Sequence, residues 1–446
     1  MVTSVNRALD QPYLEDFMVR NAFTAGIDFT QYFKNRLYYI DVKGMLSSLH
    51  GSAGAITALQ NSVAHYYQRA SSADYLGVDP TRRSLTGTGG YVKVGRKGNA
   101  KWNFSETFTW SSPGFDLNDM GYMKETDYLM NETEIMYRQT DIWKIFRYNA
   151  FTLSQKNMWN YGGTPFSNNA SLRWQSMTMN RYEWDVKETF AWNWLDSRLL
   201  RGGPDVRFGS YFLTSAKFNT DKAKRMMFML KYEGDHNFEG NRFNTISPSL
   251  TFRLGNHVYL SGQLDYAWNT DEMQYVATTS PLSSSSLAPY YYVMGHMDQK
   301  TYGLTLKLQV NVTPDISIQF YGAPFTSIAK YDDFKLAADT KSHTFENRFQ
   351  RIDPDQLTYA DGVYTIGEGA GQMPFRNPDF RFNEFRSNLV ARWEYLPGST
   401  LYFVWEHRMS NRDNWYSSGW GSNLDRMWGL PATNTFMIKM NYWFNL

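Results

Sequence analysis

The side chains that could carry chemistry are scattered along this chain and form no recognised catalytic motif. Seven histidines stand at positions 50, 65, 236, 257, 296, 343 and 407, without the close spacing of metal ligands. No phosphate-binding loop, HExxH helix or EF-hand spacing occurs, and the absence of cysteine excludes thiolate nucleophiles, disulfides and cysteine-bound metals. We therefore expect a protein that is not an enzyme and that has no cofactor and no metal.

Acidic residues give one opening for a cation. Asp332, Asp333, Asp353, Asp355 and Asp361 lie within one long polar segment, and calcium is bound by several carboxylate oxygens at once. A solvated acidic loop has the same composition, so the sequence leaves both alternatives open.

Two polar segments, 49–86 and 111–126, are the best candidates for ligand binding. Ile56, Leu59 and Val63 have helical spacing, which predicts a short helix in the first segment. Trp415 and Trp420, in a later loop, could stack on sugar rings or could instead form an aromatic girdle. The ligand-binding residues that we expect are Gln60, Tyr67, Gln68, Arg69, Asn118, Asp119, Trp415 and Trp420.

The elements that must position these residues are strands. From Tyr302 to Val312 every second side chain is apolar, and the same alternation runs through Phe436 to Leu446. About eighteen such strands of about ten residues can be distinguished, and short turns alternate with long loops along the chain. The longest loops are expected at 49–86, 111–126, 328–383 and 410–433.

Composition and alternation together predict a transmembrane barrel. Aromatic residues make up 17% of the chain, yet the mean hydropathy is −0.53. No stretch approaches the roughly 20 apolar residues of a spanning helix. We expect an all-β, antiparallel outer-membrane β-barrel over residues 1–446, with Leu304, Leu306, Leu308, Val310 and Val312 facing outward and the polar side chains lining a hydrated lumen. A soluble β-sandwich also alternates but would not end on an aromatic strand.

Charge and chain start limit the other classes. The formal net charge is +2, so nothing favours a nucleic-acid partner. The first residues have neither a charged region nor an apolar region typical of a signal peptide. Because an outer-membrane protein is exported, we expect either that a signal was removed or that this chain is part of a longer one, and we favour the second.

Glu106 and Glu188 interrupt otherwise apolar strand faces. Each stands in the middle of one parity that begins and ends with tryptophan. A carboxylate on a lipid-facing surface is costly. A local bulge or a neighbouring lysine that hides the charge is the favoured explanation, and a partner protein that covers this face is the alternative.

Several loop and strand runs resemble one family. They are Ser112-Pro113-Gly114, Asn118-Asp119-Met120-Gly121 and Arg392-Trp393-Glu394-Tyr395-Leu396-Pro397-Gly398-Ser399. These runs are similar to those of a Gram-negative, Bacteroidota-type outer-membrane barrel family of unknown function. Its members carry an N-terminal domain like family 9 carbohydrate-binding modules, and this chain resembles the barrel part only. The resemblance implies location in the cell outer membrane, contact with its lipid, and a barrel incomplete at its N-terminal side.

Three functions are weighed. The first is porin-like transport, the passage or uptake of a glycan-related or other small solute, with residues 49–86 and 111–126 as one cap at the mouth. The second is a cell-surface scaffold or secretion-associated barrel that binds other outer-membrane proteins. The third, a barrel enzyme, lacks a convergent acid-base set.

Overall fold

The fold is a single large antiparallel sheet with loops folded onto one of its faces. The computed structural model describes residues 1–69, 75–98, 100–119, 121–192, 194–282, 290–414 and 419–444. Eighteen strands follow one another in the sheet in chain order, each paired with the next. This confirms the all-β class and the expected number of strands.

The strands of this sheet have the following bounds. They are β1 (Val2–Asn6), β2 (Asn21–Phe33), β3 (Tyr38–His50), β4 (Ser84–Arg96), β5 (Trp102–Ser111), β6 (Tyr128–Gln139), β7 (Phe146–Trp159), β8 (Pro165–Thr178), β9 (Glu183–Trp192), β12 (Tyr211–Asn219), β13 (Met226–Asn237), β14 (Arg242–Leu254), β15 (Val258–Thr279), β16 (Tyr291–Asn311), β17 (Ile316–Ala337), β22 (Phe380–Leu396), β23 (Ser399–Asp413) and β24 (Thr433–Asn441).

The remaining elements lie in the connections. They are the hairpin β10 (Trp194–Asp196) and β11 (Val206–Phe208), the short β18 (Phe349–Arg351) beside β17, the separate sheet of β19 (Leu357–Ala360), β20 (Val363–Ile366) and β21 (Met373–Arg376), and the helices α1 (Pro12–Glu15), α2 (Ala53–Gln60) and α3 (Trp420–Trp428). Among the described residues, no helix is long and apolar enough to cross a membrane.

The two faces of the sheet differ in polarity. In β16, Leu304 and Leu308 pair with Leu264 and Leu260 of β15, so one apolar surface continues from strand to strand. The neighbouring Lys307 points to the opposite face. We call the apolar surface the outer face and the polar surface the inner face. The expectation that Leu304 to Val312 share the outer face agrees with this arrangement.

Short turns close one end of the sheet and long loops close the other. At the turn end, Lys34, Asn35 and Arg36 have positive φ values of 46°, 56° and 65°, as tight hairpin turns require. The turns expected at Gly255-Asn256 and Pro397-Gly398 also lie there, with φ values of 64° at Gly255 and 79° at Gly398. The loop end carries the cap segments and the connections before β12, β22 and β24.

Three strands are about twice the expected length. β15 and β17 have 22 residues and β16 has 21, so the loop expected at 328–383 begins only after Ala337 and ends before Phe380. Register shifts between Asp271 and Gln274 and between Met294 and His296 interrupt the alternation. Because a bulge moves side chains to the other face, the sequence pattern did not reveal that these strands continue.

The two outermost strands each have one neighbour. Within the described part of the chain, β1 pairs with β2, and β24 pairs with β23, and no pairing joins β1 to β24. All nine residues of β24 are exposed. The structure thus describes a sheet of the barrel type whose closure lies outside these pairings.

Candidate functional site

The first layer on the inner face is formed by residues 51–83 and 112–127, which we call the cap. It rests on β3 and β4, where Phe115 covers two glycines. A Cβ atom on Gly87 would lie 2.1 Å from the Phe115 nitrogen, and one on Gly89 would lie 2.5 Å from its ring. Only glycine permits this close approach. The two cap segments predicted from the sequence therefore do pack together at the loop end.

Helix α2 lies in the cap with its apolar side buried. Ser52 caps the helix, since its Oγ accepts a hydrogen bond from the Ala55 N–H at 3.0 Å. Ile56 is buried with Tyr67 and Leu85. The predicted helix is confirmed, but it ends before Val63, which is exposed.

A buried histidine joins the two cap segments. The His65 Nε2 atom lies 2.9 Å from the Asp116 carboxylate, and Nδ1 lies 2.9 Å from the Pro113 carbonyl oxygen. Both side chains are almost fully buried. Because both ring nitrogens face oxygen acceptors, this contact is best satisfied when both carry a proton. The pair connects residues that are 51 positions apart.

A second buried cluster centres on Asp127. Arg69 donates a hydrogen bond to its carboxylate at 2.6 Å, and the Tyr75 hydroxyl donates another at 2.5 Å. The Tyr161 N–H donates to the remaining oxygen at 3.1 Å. Nearby, burial raises the pKa of Tyr67 to about 12. This cluster secures the cap to the loop after β7.

The predicted ligand-binding residues of the cap have varied surroundings. Gln60 is buried and makes two hydrogen bonds with the Asp79 backbone, at 2.7 and 2.9 Å. Tyr67 is buried against His65, and Arg69 contacts Asp127. These three side chains therefore hold the cap together, and their role in ligand binding stays a prediction.

The other predicted residues are spread over different surfaces. Gln68 is exposed and lies beside Gly202. Asn118 accepts a hydrogen bond from the Met123 N–H within its loop, and Asp119 forms an ion pair with Arg7. Trp415 lies outside the described residues. Trp420 begins α3, and its side chain is not among those described.

Helix α3 lies on the outer face, away from the inner face. The Trp428 ring packs edge-on against Phe385 of β22 at 4.9 Å between centroids. Asn423 and Met427 are buried beneath the helix. This placement agrees with the girdle alternative for the aromatic residues of this loop.

The second inner layer is the hairpin of β10 and β11, and Arg198 in its connection joins it to the cap. The Arg198 guanidinium donates to the Val63 carbonyl at 3.2 Å and to the Lys124 carbonyl at 2.6 Å. It also lies 3.4 Å from the Glu125 carboxylate. Hairpin and cap therefore form a continuous covering over the inner face.

The third layer is the connection 338–379, in which Arg348 is almost completely buried. Its guanidinium donates two hydrogen bonds to the Glu239 carboxylate, at 2.7 and 2.9 Å. It also donates to the carbonyls of Arg207 in β11 and Ser342, at 2.7 and 2.8 Å. One side chain thus joins the hairpin, the turn after β13 and the long connection. We call the cap, the hairpin segment 194–208 and the connection 338–379 the roof.

Apolar clusters support the roof from below. Leu200 and Val206 of the hairpin segment pack with Met273, Met294 and Phe349. A second cluster places β20 and β21 on β17, with the Phe334 and Phe375 rings 5.1 Å apart. The bulges in β15 and β16 lie at this level, where they turn side chains toward the roof.

A cavity of about 270 Å³ lies beneath the hairpin at the loop end of the inner face. Its walls combine aromatic rings, carboxylates and amides. They include Trp194, Phe208, Tyr211, Phe243, Asp196, Asp235, Asp271, Asn237, Asn241 and Asn269. Rings that stack and paired polar groups that accept and donate hydrogen bonds suit a polar solute with flat apolar faces.

A groove of about 350 Å³ lies at the turn end of the same inner face. Tyr259, Tyr321 and Lys307 line it, together with amide side chains from β16, β17 and β22. No roof residue contributes to its walls. Long strands β15, β16 and β17 connect the two depressions.

The sequence did not indicate Arg198, Arg348 or Trp194 as functional residues. Their partners are mostly backbone carbonyls and distant acids, which leave no local spacing signal. Among the described residues, no three acidic or histidine side chains lie close enough to hold a metal ion. The acidic group that includes Asp332 and Asp353 therefore does not form a calcium site in the part of the chain that is described.

Fold and site together define an antiparallel barrel-type sheet with a polar inner face covered by loops at one end. The chain belongs to the family described as a domain of unknown function, DUF5916, whose model matches residues 50–446. No curated protein matches the chain significantly.

Two solved structures are similar in outline. One is the siderophore receptor PirA from Acinetobacter baumannii, with 9% identity, a TM-score of 0.39, and coverage of 94% of this chain and 70% of that chain. The other is a mutant of the ferric enterobactin receptor PfeA from Pseudomonas aeruginosa in complex with enterobactin, with 7% identity, a TM-score of 0.35, and coverage of 86% and 73%. At these values neither likeness supports an inference about ligands.

Proposed function

We propose that this chain forms the wall of an outer-membrane β-barrel through which a small, hydroxyl-rich solute passes, and that the roof gates it. The single observation that carries the proposal is the pair of depressions on one inner face. One lies beneath the roof at the loop end and the other is uncovered at the turn end. The sheet between them has an apolar outer face suited to lipid.

The chemistry of the covered cavity supports a glycan-related solute. Trp194 and Tyr211 lie with ring centroids 5.6 Å apart and nearly perpendicular planes, so a sugar could stack on one ring while its edge meets the other. Asp235 and Asn269 contribute to the same wall. Sugars present apolar ring faces and a rim of hydroxyl groups, and both are matched here.

The roof supports gating in place of a permanently open pore. Its three pieces are joined by buried charged contacts, at His65–Asp116, Arg69–Asp127 and Arg348–Glu239. Such contacts favour one geometry, because removing one partner leaves a buried charge uncompensated. The proposal assigns the chain a transport role and no catalytic one, with lipid and the solute as its partners.

Reconstitution tests the proposal. Purified protein in liposomes should let neutral sugars enter slowly, and a variant in which residues 51–83 are replaced by Asn-Gly should let them enter much faster. The replacement is feasible because His50 and Ser84 are paired neighbours. If neither protein transports sugars or ions above the lipid background, the passage function is wrong. Membrane fractionation of cells checks the location separately.

A further inference from the structure

Two strands carry the same unusual outer surface. Each begins and ends with tryptophan and has one glutamate at its centre. The residues are Trp102, Phe104, Glu106, Phe108 and Trp110 in β5, and Trp184, Val186, Glu188, Phe190 and Trp192 in β9. Because tryptophan is typical of both interfaces of a membrane barrel, the glutamates lie near the middle of the apolar band.

The structure gives neither glutamate a compensating charge. Glu106 accepts hydrogen bonds from the Asn131 amide and the Thr133 hydroxyl, both at 2.6 Å. Glu188 accepts one from the Thr214 hydroxyl at 2.7 Å. Within the described part of the chain, no Lys, Arg or His forms an ion pair with either side chain.

The explanations favoured by the sequence therefore do not hold. The ladders of β5 with β6 and of β9 with β12 have no register shift at the glutamates. A bulge thus does not turn Glu106 or Glu188 inward, and no lysine covers them. Both carboxylates stay on the outer face.

The surface between the glutamates is apolar and open. Leu153 of β7 and Leu172 of β8 are 55% and 56% exposed, among the most exposed leucines of the sheet. β5 and β9 are four strands apart, which corresponds to about 19 Å across the sheet. We call Glu106, Leu153, Leu172 and Glu188 the acid-flanked patch.

We propose that the acid-flanked patch is a docking surface for a membrane-spanning segment of a different outer-membrane protein that presents Lys or Arg side chains at mid-membrane depth. The proposal rests on the membrane location proposed above but not on solute passage. Hydrogen bonds from neutral groups leave the carboxylate charges uncompensated, and lipid supplies no cation at that depth. A cationic partner supplies it, while the leucines provide the apolar contact.

Charge excludes a second copy of this chain as the occupant. On the outer face of the described strands, Lys300 pairs with Trp268, and Arg242 pairs with Thr270, so both lie toward the loop end. Lys330 and Arg381 lie farther along β17 and β22 in the same direction, and Arg96 lies at the turn end of β4. A symmetric dimer would therefore place the glutamates against uncharged side chains.

Site-directed spin labelling tests the docking surface, and the absence of cysteine makes any single introduced thiol unique. Leu172→Cys places a nitroxide inside the patch, and Leu306→Cys places a matched label on the outer face of β16. Collision with dissolved oxygen is measured in outer membranes of the cells that naturally make the protein, and again after reconstitution into pure phospholipid.

The expected result is a several-fold lower oxygen accessibility at position 172 than at 306 in native membranes, with equal values after reconstitution. In the Glu106→Leu/Glu188→Leu background, position 172 should be accessible already in native membranes. High accessibility at 172 in unaltered native membranes overturns the proposal, as does shielding that survives the double substitution.

Two further outcomes are distinct. Shielding at 172 that persists in pure phospholipid indicates association of copies and contradicts a different partner. Low accessibility at 306 in pure phospholipid contradicts the membrane orientation itself, and hence the proposed function, irrespective of what happens at 172.

Discussion

The loop end and the turn end of the inner face are built from the same strands but finished in opposite ways. At the loop end, chain segments from four connections fold onto the sheet and are joined by buried charged groups. At the turn end, the hairpins are tight and the groove beside Tyr259 and Lys307 is lined by strand residues alone. The difference indicates that control of passage is concentrated at one end and that the rest of the lumen is a simple wall.

Removing the cap should produce the largest effect. With residues 51–83 replaced by Asn-Gly, single-molecule conductance in planar bilayers should rise roughly tenfold or more, as a constriction becomes an open lumen. The matched control removes residues 419–429, which include α3 on the outer face. Equal conductance of the two excised proteins would mean that the cap does not gate.

Breaking the Arg348 contact should loosen the roof while leaving the sheet intact. Arg348→Met leaves Glu239 buried without its charge partner, so the roof should lose ~3–5 kcal/mol of stability. The double variant Arg348→Met/Glu239→Gln should recover part of that loss. Hydrogen exchange of roof amides in detergent micelles measures both. Unchanged exchange in the single variant would show that the three roof pieces are not held by this contact.

The orientation of the wall is tested by a neighbouring pair in β16. Leu306→Lys places a cation on the outer face and should cost ~2–4 kcal/mol of folding stability in lipid if it lies near the bilayer midplane. Lys307→Leu changes the inner face and should fold normally. Reversible unfolding in phospholipid vesicles compares them, and a larger loss for Lys307→Leu would invert the assignment of faces.

Solute preference at the two ends should differ by the smallest margin. Trp194→Ala removes a stacking ring from the covered cavity and should weaken sugar binding by ~0.5–1.5 kcal/mol. Tyr321→Ala, at the turn end, should have less effect. Sugar block of the ion current, measured for each variant, gives the two affinities. A larger effect at Tyr321 would move the selective site to the turn end.

Alternation determined much of this architecture. A period of two is a local property, so the sequence was sufficient for the strand number, for the shared face of Leu304 to Leu308 and for the turns at Gly255 and Pro397. The helix predicted from Ile56 and Leu59 was found for the same reason. The close contact of 51–83 with 112–127 was also anticipated, although the residues that make it were not.

Only the tertiary structure decided how the loops are arranged. Arg348 meets Arg207 across 141 positions of sequence and Glu239 across 109, and no local pattern encodes such contacts. The extension of β15 to β17 was hidden because bulges break the alternation, and the outward placement of α3 depends on where Phe385 lies. Periodicity fixes which way a side chain points from its own strand, whereas the roof depends on the packing of segments that meet only after the sheet has formed.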